Sequence, residues 1–146
     1  MSAVTFEITD DGPIVRILIS ASTNQRKVLE DLELDIPEPV LLDVLIDTGA
    51  SCTSIDANHL ALLKIQPTGI TDVMTPSTGS TPVQFYQYEV DLAIELSEGQ
   101  FKHFQNVSVI QSDLRGQYIE GLAGRDLLSQ GVFIYDGPGQ RFSLAY

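Results

Sequence analysis

The chain has 146 residues, and its 20 acidic against 8 basic residues give a formal net charge of −12. This charge disfavours nucleic acids and anionic membrane surfaces as partners, because both are bound by clustered Lys and Arg. The single cysteine, Cys52, excludes an intrachain disulfide and is typical of a reducing compartment. No signal-peptide pattern and no apolar run of about 20 residues is present. We therefore expect one domain, residues 1–146, in the cytoplasm.

The first third of the chain predicts strands on either side of a long polar segment. Apolar residues alternate with polar ones from Val4 to Ile8, which predicts a strand. Asp10–Pro13 has turn chemistry, and Ile14–Ile19 is predicted to return as the second strand of a hairpin. Ser20–Pro39 is polar and weakly patterned. We expect a surface excursion there, with a strand or short helical turn near Lys27–Leu34.

A buried strand that ends in a carboxylate is the most informative feature of the sequence. The apolar run Val40–Ile46 predicts this strand, and Asp47 follows it directly. A charge at the end of a buried strand is costly unless a partner or a reaction uses it. Thr48 can hold the local backbone through its hydroxyl, and Gly49 allows close backbone approach or a positive φ. The alternative is a strand that ends in an Asx-type turn without chemical function.

The following elements are shorter and carry no metal-binding pattern. Cys52–Ile55 predicts a short strand, and Ala57–Lys64 predicts a short helix with Asp56 as its N-cap. His59 lies on this helix without a second ligand at metal spacing, so we expect it to be a surface or partly packed residue. We expect no metal and no cofactor. Val73–Val83 is rich in Pro, Ser, Thr and Gly and predicts the tip of a hairpin.

The second half of the chain predicts further strands and one more helix. Tyr86–Leu96 alternates with period two, so Tyr86 and every second residue after it should face one way. Phe104–Ile110 is predicted to return as the next strand. Gly121–Gln130 predicts small residues that pass tightly through the core and then a short helix, and Val132–Tyr146 predicts a final hairpin. Many short strands with two short helices indicate a mainly β, closed or sandwich-like domain.

Two separated motifs resemble the signatures of retropepsin-like aspartic proteases. Leu45–Ser51, with the letters LIDTGAS, resembles the catalytic loop. Leu122–Leu128, with the letters LAGRDLL, resembles the second signature, and Val73–Val83 lies between them, where that family carries its flap. The chain is similar to the small single-domain bacterial kind along its whole length. The resemblance implies a closed β-barrel-like acid-protease fold with two short helices, and hydrolysis of peptide bonds.

The resemblance also implies a homodimer. The chemistry uses two carboxylates that share one proton around a water molecule, and this chain has a single Asp-Thr-Gly. Asp47 would therefore come from each of two chains related by a two-fold axis. Thr48 would bond across the axis, and Gly49 would contact the substrate backbone. The C-terminal strand Phe142–Tyr146 resembles the strand that builds the dimer sheet, and such pairing would cover an exposed edge.

Substrate contacts are implied for the loop after Gly49, the flap and the second motif. These residues are Ala50, Ser51, Cys52, Ser77, Thr78, Gly79, Ser80 and Ala123. Retroviral enzymes often carry an acid at the position of Ser51, where it pairs with the arginine that matches Arg125. Ser51 cannot form this ion pair, so Arg125 needs another partner, either an acid elsewhere or the other subunit.

Two alternatives to an active protease remain. The first is a catalytically weak module of the same fold that binds extended peptides by strand addition. The second is a hydrolase of another class, which is disfavoured because the chain has no Gly-x-Ser-x-Gly elbow. Neither of its two histidines has the spacing of a triad or zinc site.

Overall fold

The computed structural model describes residues 2–74 and 79–146, which form a mainly β protein with three short helices. In chain order the elements are β1 (Ala3–Glu7), β2 (Ile14–Ala21), α1 (Thr23–Asp31), β3 (Val40–Ile46), β4 (Ser54–Asp56), α2 (Ala57–Leu62), β5 (Gly69–Val73), β6 (Val83–Ser97), β7 (Gln100–Ser112), β8 (Gly121–Ala123), α3 (Arg125–Leu128), β9 (Val132–Asp136) and β10 (Arg141–Ala145).

Six strands close into a barrel. Their order is β2-β3-β8-β4-β7-β6, and β6 pairs back onto β2, with Ile17 opposite Ile94 and Ile19 opposite Leu92. β5 pairs with the first part of β6 and stands outside this ring. The inward positions of β2, β3 and β6 carry large apolar side chains, which form the core of the barrel. The predicted closed, mainly β fold is confirmed.

The short strand β8 lies between β3 and β4, which the chain connects directly. β8 runs parallel to β3, with Leu45 opposite Leu122, and antiparallel to β4, with Ser54 opposite Leu122. A Cβ at Gly121 would lie only 2.7 Å from the carbonyl oxygen of Ser54, so a larger residue does not fit between the two strands. The insertion of β8 holds the segment 47–53 as a loop that projects from one end of the barrel.

A second, three-stranded sheet has the order β1-β10-β9 and shares the core with the barrel. Phe6 of β1 stacks on Phe142 of β10 with their ring centroids 5.0 Å apart. The predicted N-terminal hairpin is therefore wrong, because β1 pairs with β10, and β2 pairs with β3 and β6. The predicted exposed C-terminal strand is also wrong. β10 is the central strand of this sheet, and both of its edges are hydrogen-bonded within the chain.

The polar segment 20–39 contains α1, so the fold has a third helix beside the two that were predicted. Ser22 begins it with a capping box, in which the Ser22 hydroxyl accepts from the Gln25 amide and the Gln25 side chain accepts from the Ser22 amide. Asp91 on β6 accepts hydrogen bonds from both the amide and the hydroxyl of Thr23. The Arg26 guanidinium lies 2.6 Å from the same carboxylate, so polar contacts attach α1 to the barrel.

Other boundaries differ little from the prediction. α2 begins after Asp56, whose side chain accepts from the Asn58 amide, and ends at Leu62. Tyr86 is 51% exposed, unlike Val90 and Leu92, which were predicted to face the same way as Tyr86. The reason is that this part of β6 pairs with β5 outside the barrel.

No helix in residues 2–74 or 79–146 has the length and apolar character needed to cross a membrane.

The contacts of Asp91 predict a pH-dependent contribution to stability. Desolvation by burial raises its pKa, but hydrogen bonds from Thr23 and Asn106 and the charge of Arg26 lower it by more. A lowered pKa stabilises the folded chain above the unfolded pKa of about 3.9 and loses this effect as pH falls through the folded pKa. We expect Asp91→Asn to lower the free energy of unfolding by about 1–2 kcal/mol at pH 7.

Urea unfolding of wild type and Asp91→Asn from pH 7 to pH 2 measures this difference, which should shrink below about pH 4. Asp10→Asn, an exposed change, is the matched control and should leave the free energy of unfolding nearly constant. A wild-type advantage over Asp91→Asn that is equal at pH 7 and pH 2 would contradict the assignment.

Candidate active site

Asp47 lies where β3 leaves the barrel. Its amide donates to the Ala123 carbonyl oxygen on β8 at 2.9 Å, which fixes the backbone at this point. Its Oδ1 accepts from the Gly49 amide at 2.9 Å, and its carbonyl oxygen accepts from the Ala50 amide at 3.2 Å. The local geometry is thus an Asx-type turn, and this turn aims the carboxylate into a cleft.

Gly49 lies close to the Asp47 carboxylate. Its φ is not positive, but a Cβ there would lie 3.1 Å from Asp47 Oδ1 and would crowd the carboxylate. Thr48 and Gly49 are both exposed, in contrast to the buried strand that precedes them. The loop therefore presents the carboxylate and these two residues to whatever approaches this end of the barrel.

Thr53 and Asp126 support the loop from behind, and the sequence analysis did not identify either of them. Thr53 is fully buried, and its hydroxyl donates to Asp126 Oδ1 at 2.8 Å. Its amide donates to Asp126 Oδ2 at 3.0 Å, and its hydroxyl oxygen accepts from the Gly124 amide at 3.2 Å. The available signal was the acid that follows Arg125 at the start of a helix, where a carboxylate can accept backbone amides.

Arg125 clamps the exposed side of the same loop. Its Nη1 donates to the Thr48 carbonyl oxygen at 2.7 Å, and its backbone amide donates to the Ala50 carbonyl oxygen at 2.9 Å. Among the described residues, the partner of the Arg125 side chain is thus the Thr48 carbonyl oxygen and not an acid. The other expected partner of Arg125, the second subunit, stays a prediction.

Asp47 opens onto a cleft of about 490 Å³ between the barrel and the β5–β6 hairpin. The loop supplies one wall, β4, β7 and β8 supply the floor, and the hairpin supplies the other wall. The lining residues are Asp47, Gly49, Ala50, Ser51, Cys52, Ser54, Val73, Met74, Phe85, Ile110, Gln111, Ser112 and Leu122. Among these, Asp47 is the only residue with a charged side chain, so the cleft is mainly apolar with hydroxyl and amide groups at intervals.

The structure brings together part of the predicted substrate-contact set. Ala50, Ser51 and Cys52 line the cleft, as the resemblance implied. Ala123 does not, because it is 1% exposed and points into the core, while its neighbour Leu122 faces the cleft. In the hairpin, Gly79 and Ser80 are exposed and are not among the residues that line the cleft. Residues 77 and 78 lie outside the described ranges.

Cys52 is a thiol rather than a thiolate at neutral pH. Burial raises its pKa, a hydrogen bond with Ser51 lowers it, and the charge of Asp126 raises it, with a net increase. A thiol with a raised pKa is a poor nucleophile. This argues against covalent chemistry at Cys52.

Comparison with known proteins identifies the fold. No protein-family profile and no curated protein matches the sequence. A retropepsin-like aspartic protease from Rickettsia conorii is similar in structure, with a TM-score of 0.60 and 17% identity over 99% of this chain and 91% of that one. EIAV protease in complex with the inhibitor HBY-793 gives a TM-score of 0.38 and 20% identity over 62% of this chain and 76% of that one. The similarity to the Rickettsia conorii protein shows that the chain has a retropepsin-like fold.

The packing around Gly124 predicts a strong steric requirement. A Cβ at this position would lie 2.6 Å from the carbonyl carbon and 2.7 Å from the carbonyl oxygen of Cys52. Because these are backbone atoms, Gly124→Ala should displace the loop and lower the free energy of unfolding by about 1–3 kcal/mol. Gly69→Ala is the matched control, since no atom lies within 4 Å of a Cβ there. Equal urea midpoints for the two variants would refute the requirement.

Proposed function

We propose that the chain is an aspartic endopeptidase that acts as a homodimer with one Asp47 from each subunit. The observation that supports it best is a carboxylate held by the Gly49 amide in a peptide-sized cleft whose lining has no other charged side chain. A lone carboxylate can act as a base or as an acid, but peptide hydrolysis needs both at once. A second copy of the same loop supplies the missing group.

The reaction follows from the pairing of the two carboxylates. In the proposed dimer the two Asp47 carboxylates would share one proton, because two neighbouring negative charges repel each other. The ionised Asp47 takes a proton from a bound water as its oxygen attacks the peptide carbonyl carbon. The protonated Asp47 of the other subunit donates its proton to the carbonyl oxygen, which gives a neutral tetrahedral intermediate. The first Asp47 then gives the proton it took from the water to the leaving nitrogen, while the other Asp47 takes a proton from a hydroxyl of the intermediate. The C–N bond breaks, a carboxylic acid and an amine are released, and the pair again holds one proton.

Exposed groups around Asp47 are available for the contact between subunits. A two-fold axis beside the loop would bring Thr48 and Gly49 of both chains together in an isologous contact. Intersubunit strand pairing would use β1 or β9, because β10 has both edges occupied. Ile134 on β9 is 58% exposed and Val132 is exposed beside it, which favours β9 as part of the interface.

The β5–β6 hairpin has the position of a flap. Val73, Met74 and Phe85 contribute apolar side chains to the cleft from this hairpin, opposite the Asp47 loop. An extended peptide between them would pair with the hairpin backbone, and closure would remove water from the reacting carbonyl. Contacts of Gly79 and Ser80 with substrate are part of this proposal, and Ser77 and Thr78 lie outside the described residues.

A catalytically weak peptide-binding module is the second candidate. It is favoured by the incomplete site of the single chain and by the full pairing of β10 within that chain. The two functions differ in one measurable property, because the protease must dimerise to act and the binding module need not.

Asp47→Asn should abolish cleavage of a peptide library and leave the association of subunits intact. The asparagine preserves shape but cannot exchange a proton, so kcat/KM should fall about 100-fold or more. Sedimentation equilibrium should show dimers for both proteins, and Asp10→Asn should cleave like wild type. A wild-type monomer without cleavage would favour the binding module, and an Asp47→Asn protein that cleaves at the wild-type rate would refute the mechanism.

Mixed dimers test whether the two subunits share one site. If one part of wild type is refolded together with nine parts of Asp47→Asn, random pairing leaves about one tenth of wild-type chains with a wild-type partner. Activity per wild-type chain should then fall about tenfold. An equal excess of Asp10→Asn, which keeps Asp47, should increase total activity in proportion. Unchanged activity in the Asp47→Asn mixture would show that each chain carries a complete site.

A further inference from the structure

The helix α1 carries an apolar face that the barrel does not cover. No residue of α1 is buried. Val28 and Leu32, the residue that ends the helix, are each more than half exposed. They lie one helical turn apart, and the Leu32 amide donates to the Val28 carbonyl oxygen at 3.0 Å, so their side chains share one side of the helix.

A turn at the end of α1 extends this apolar face. The Glu33 amide donates to the Glu30 carbonyl oxygen, and the Leu34 amide donates to the Leu29 carbonyl oxygen at 2.9 Å. These two bonds form a Schellman motif, in which Glu33 has the left-handed conformation with a φ of 55°. The motif turns the chain back at the last turn of the helix. The exposed apolar residues of the helix and this turn, here called the α1 patch, are Val28, Leu32, Leu34 and Ile36.

Polar contacts hold the first turn of α1 and leave the α1 patch open. The Ser22 hydroxyl donates to Glu89, and Thr23 and Arg26 bind Asp91, so the helix is attached to β6 at its N-terminal end. Within the described chain, the hydrophobic core includes no residue between 27 and 38. Four exposed apolar side chains so close together differ from the scattered exposure that is usual on a monomer, and they indicate an interaction surface.

Acidic residues surround the α1 patch in the sequence. Residues 27–38 carry five acids against one lysine, a net charge of −4, which is one third of the net charge of −12 in about a twelfth of the chain. All five acids are exposed, and none forms an ion pair with a residue of 2–74 or 79–146. A partner that covers the apolar side chains must therefore supply positive charge around them. The acids are Glu30, Asp31, Glu33, Asp35 and Glu38.

This charge also selects among the possible occupants. A second copy of the chain would bring two segments of charge −4 together, and an anionic membrane or a nucleic acid would be repelled in the same way. The stripe formed by Val28 and Leu32 is helical, and side chains on a second helix can interdigitate with it. A helix with apolar and basic residues therefore fits this surface best.

We propose that the α1 patch is a docking surface for a basic amphipathic helix of a partner protein. Aliphatic side chains at positions i, i+3, i+4 and i+7 of that helix would pack on Val28, Leu32 and Leu34, and Lys or Arg beside them would pair with the acids of residues 30–38. No residue of this segment lines the Asp47 cleft. The docking surface is therefore independent of the proposed endopeptidase function.

A designed peptide tests the docking surface on the full chain. The probe contains only Leu and Lys, is about 18 residues or five helical turns long, and has its leucines at the spacing of one helix face. Fluorescence polarisation of the labelled probe should give a Kd about tenfold lower than that of a peptide of the same composition whose leucines are spread around the helix. A peptide with Glu in place of Lys should not bind, and the affinity of the probe should fall as salt rises.

Two double variants separate the apolar contribution from the charged one. Leu32→Ser with Leu34→Ser should weaken binding of the probe about tenfold or more, because less apolar area is removed from water. Glu33→Gln with Asp35→Asn should weaken binding about three- to tenfold at low salt and make the Kd less dependent on salt.

Leu62→Ser with Glu98→Gln is the matched control and should bind the probe like wild type. Leu62 on α2 is 58% exposed and Leu32 is 63% exposed, and Glu98 is an exposed residue between β6 and β7. Circular dichroism and urea midpoints should be nearly the same for all variants, because every substituted side chain is exposed. If Leu32→Ser with Leu34→Ser loses helix, the charge variant tests the docking surface by itself.

Three results would overturn the docking surface. The first is equal binding of the probe to wild type and to both patch variants, and the second is binding of the Glu peptide as tight as that of the Lys peptide. The third is a wild-type dimer, measured by sedimentation without peptide, that is lost in Leu32→Ser with Leu34→Ser. That result would assign the α1 patch to a second copy of the chain.

Discussion

The hydrogen bonds between Thr53 and Asp126 are the interaction on which the site depends. They join the end of the Asp47 loop to the start of α3, so the two sequence motifs become one unit. The insertion of β8 between β3 and β4 makes this possible, since it places the second motif directly behind the first. Arg125 then closes the loop from its outer side. In the proposed enzyme, a carboxylate on a loop held in this way would need little reorganisation when substrate binds, which is what electrostatic catalysis requires.

The fold of the single chain is complete, but the proposed reaction needs a second carboxylate. The barrel closes on itself, and the three-stranded sheet packs on the same core. The cleft nevertheless holds one carboxylate. In the proposed dimer, association would rest on the surface around the exposed loop and on an edge strand, against the repulsion of two chains that each carry a net charge of −12. A dimer of this kind should be salt-sensitive and concentration-dependent, which would couple activity to the amount of protein.

The sequence predicted the elements whose conformation is determined by residues close together in the chain. The apolar run before Asp47, the small residues of β8 and the N-cap at Asp56 each determine their own conformation. The pairing of β1 with β10 was not predictable in this way, because it joins the two ends of the chain. Ser22 and Gln25, which form a capping box, indicated the start of α1. The helix was not predicted because its apolar pattern is weak. The sequence predicted Ala123 as a cleft residue, but the structure has Leu122 there. This error of one position along a strand matters because consecutive side chains face opposite sides.

The two walls of the cleft differ in how firmly they are held. The Asp47 loop is bonded to β8 and α3, whereas the hairpin departs from the barrel at Gln87 and beyond it is held by pairing between its own two strands. Motion should therefore be concentrated in the hairpin, with its hinge beside the pair of Gln87 and Ile110.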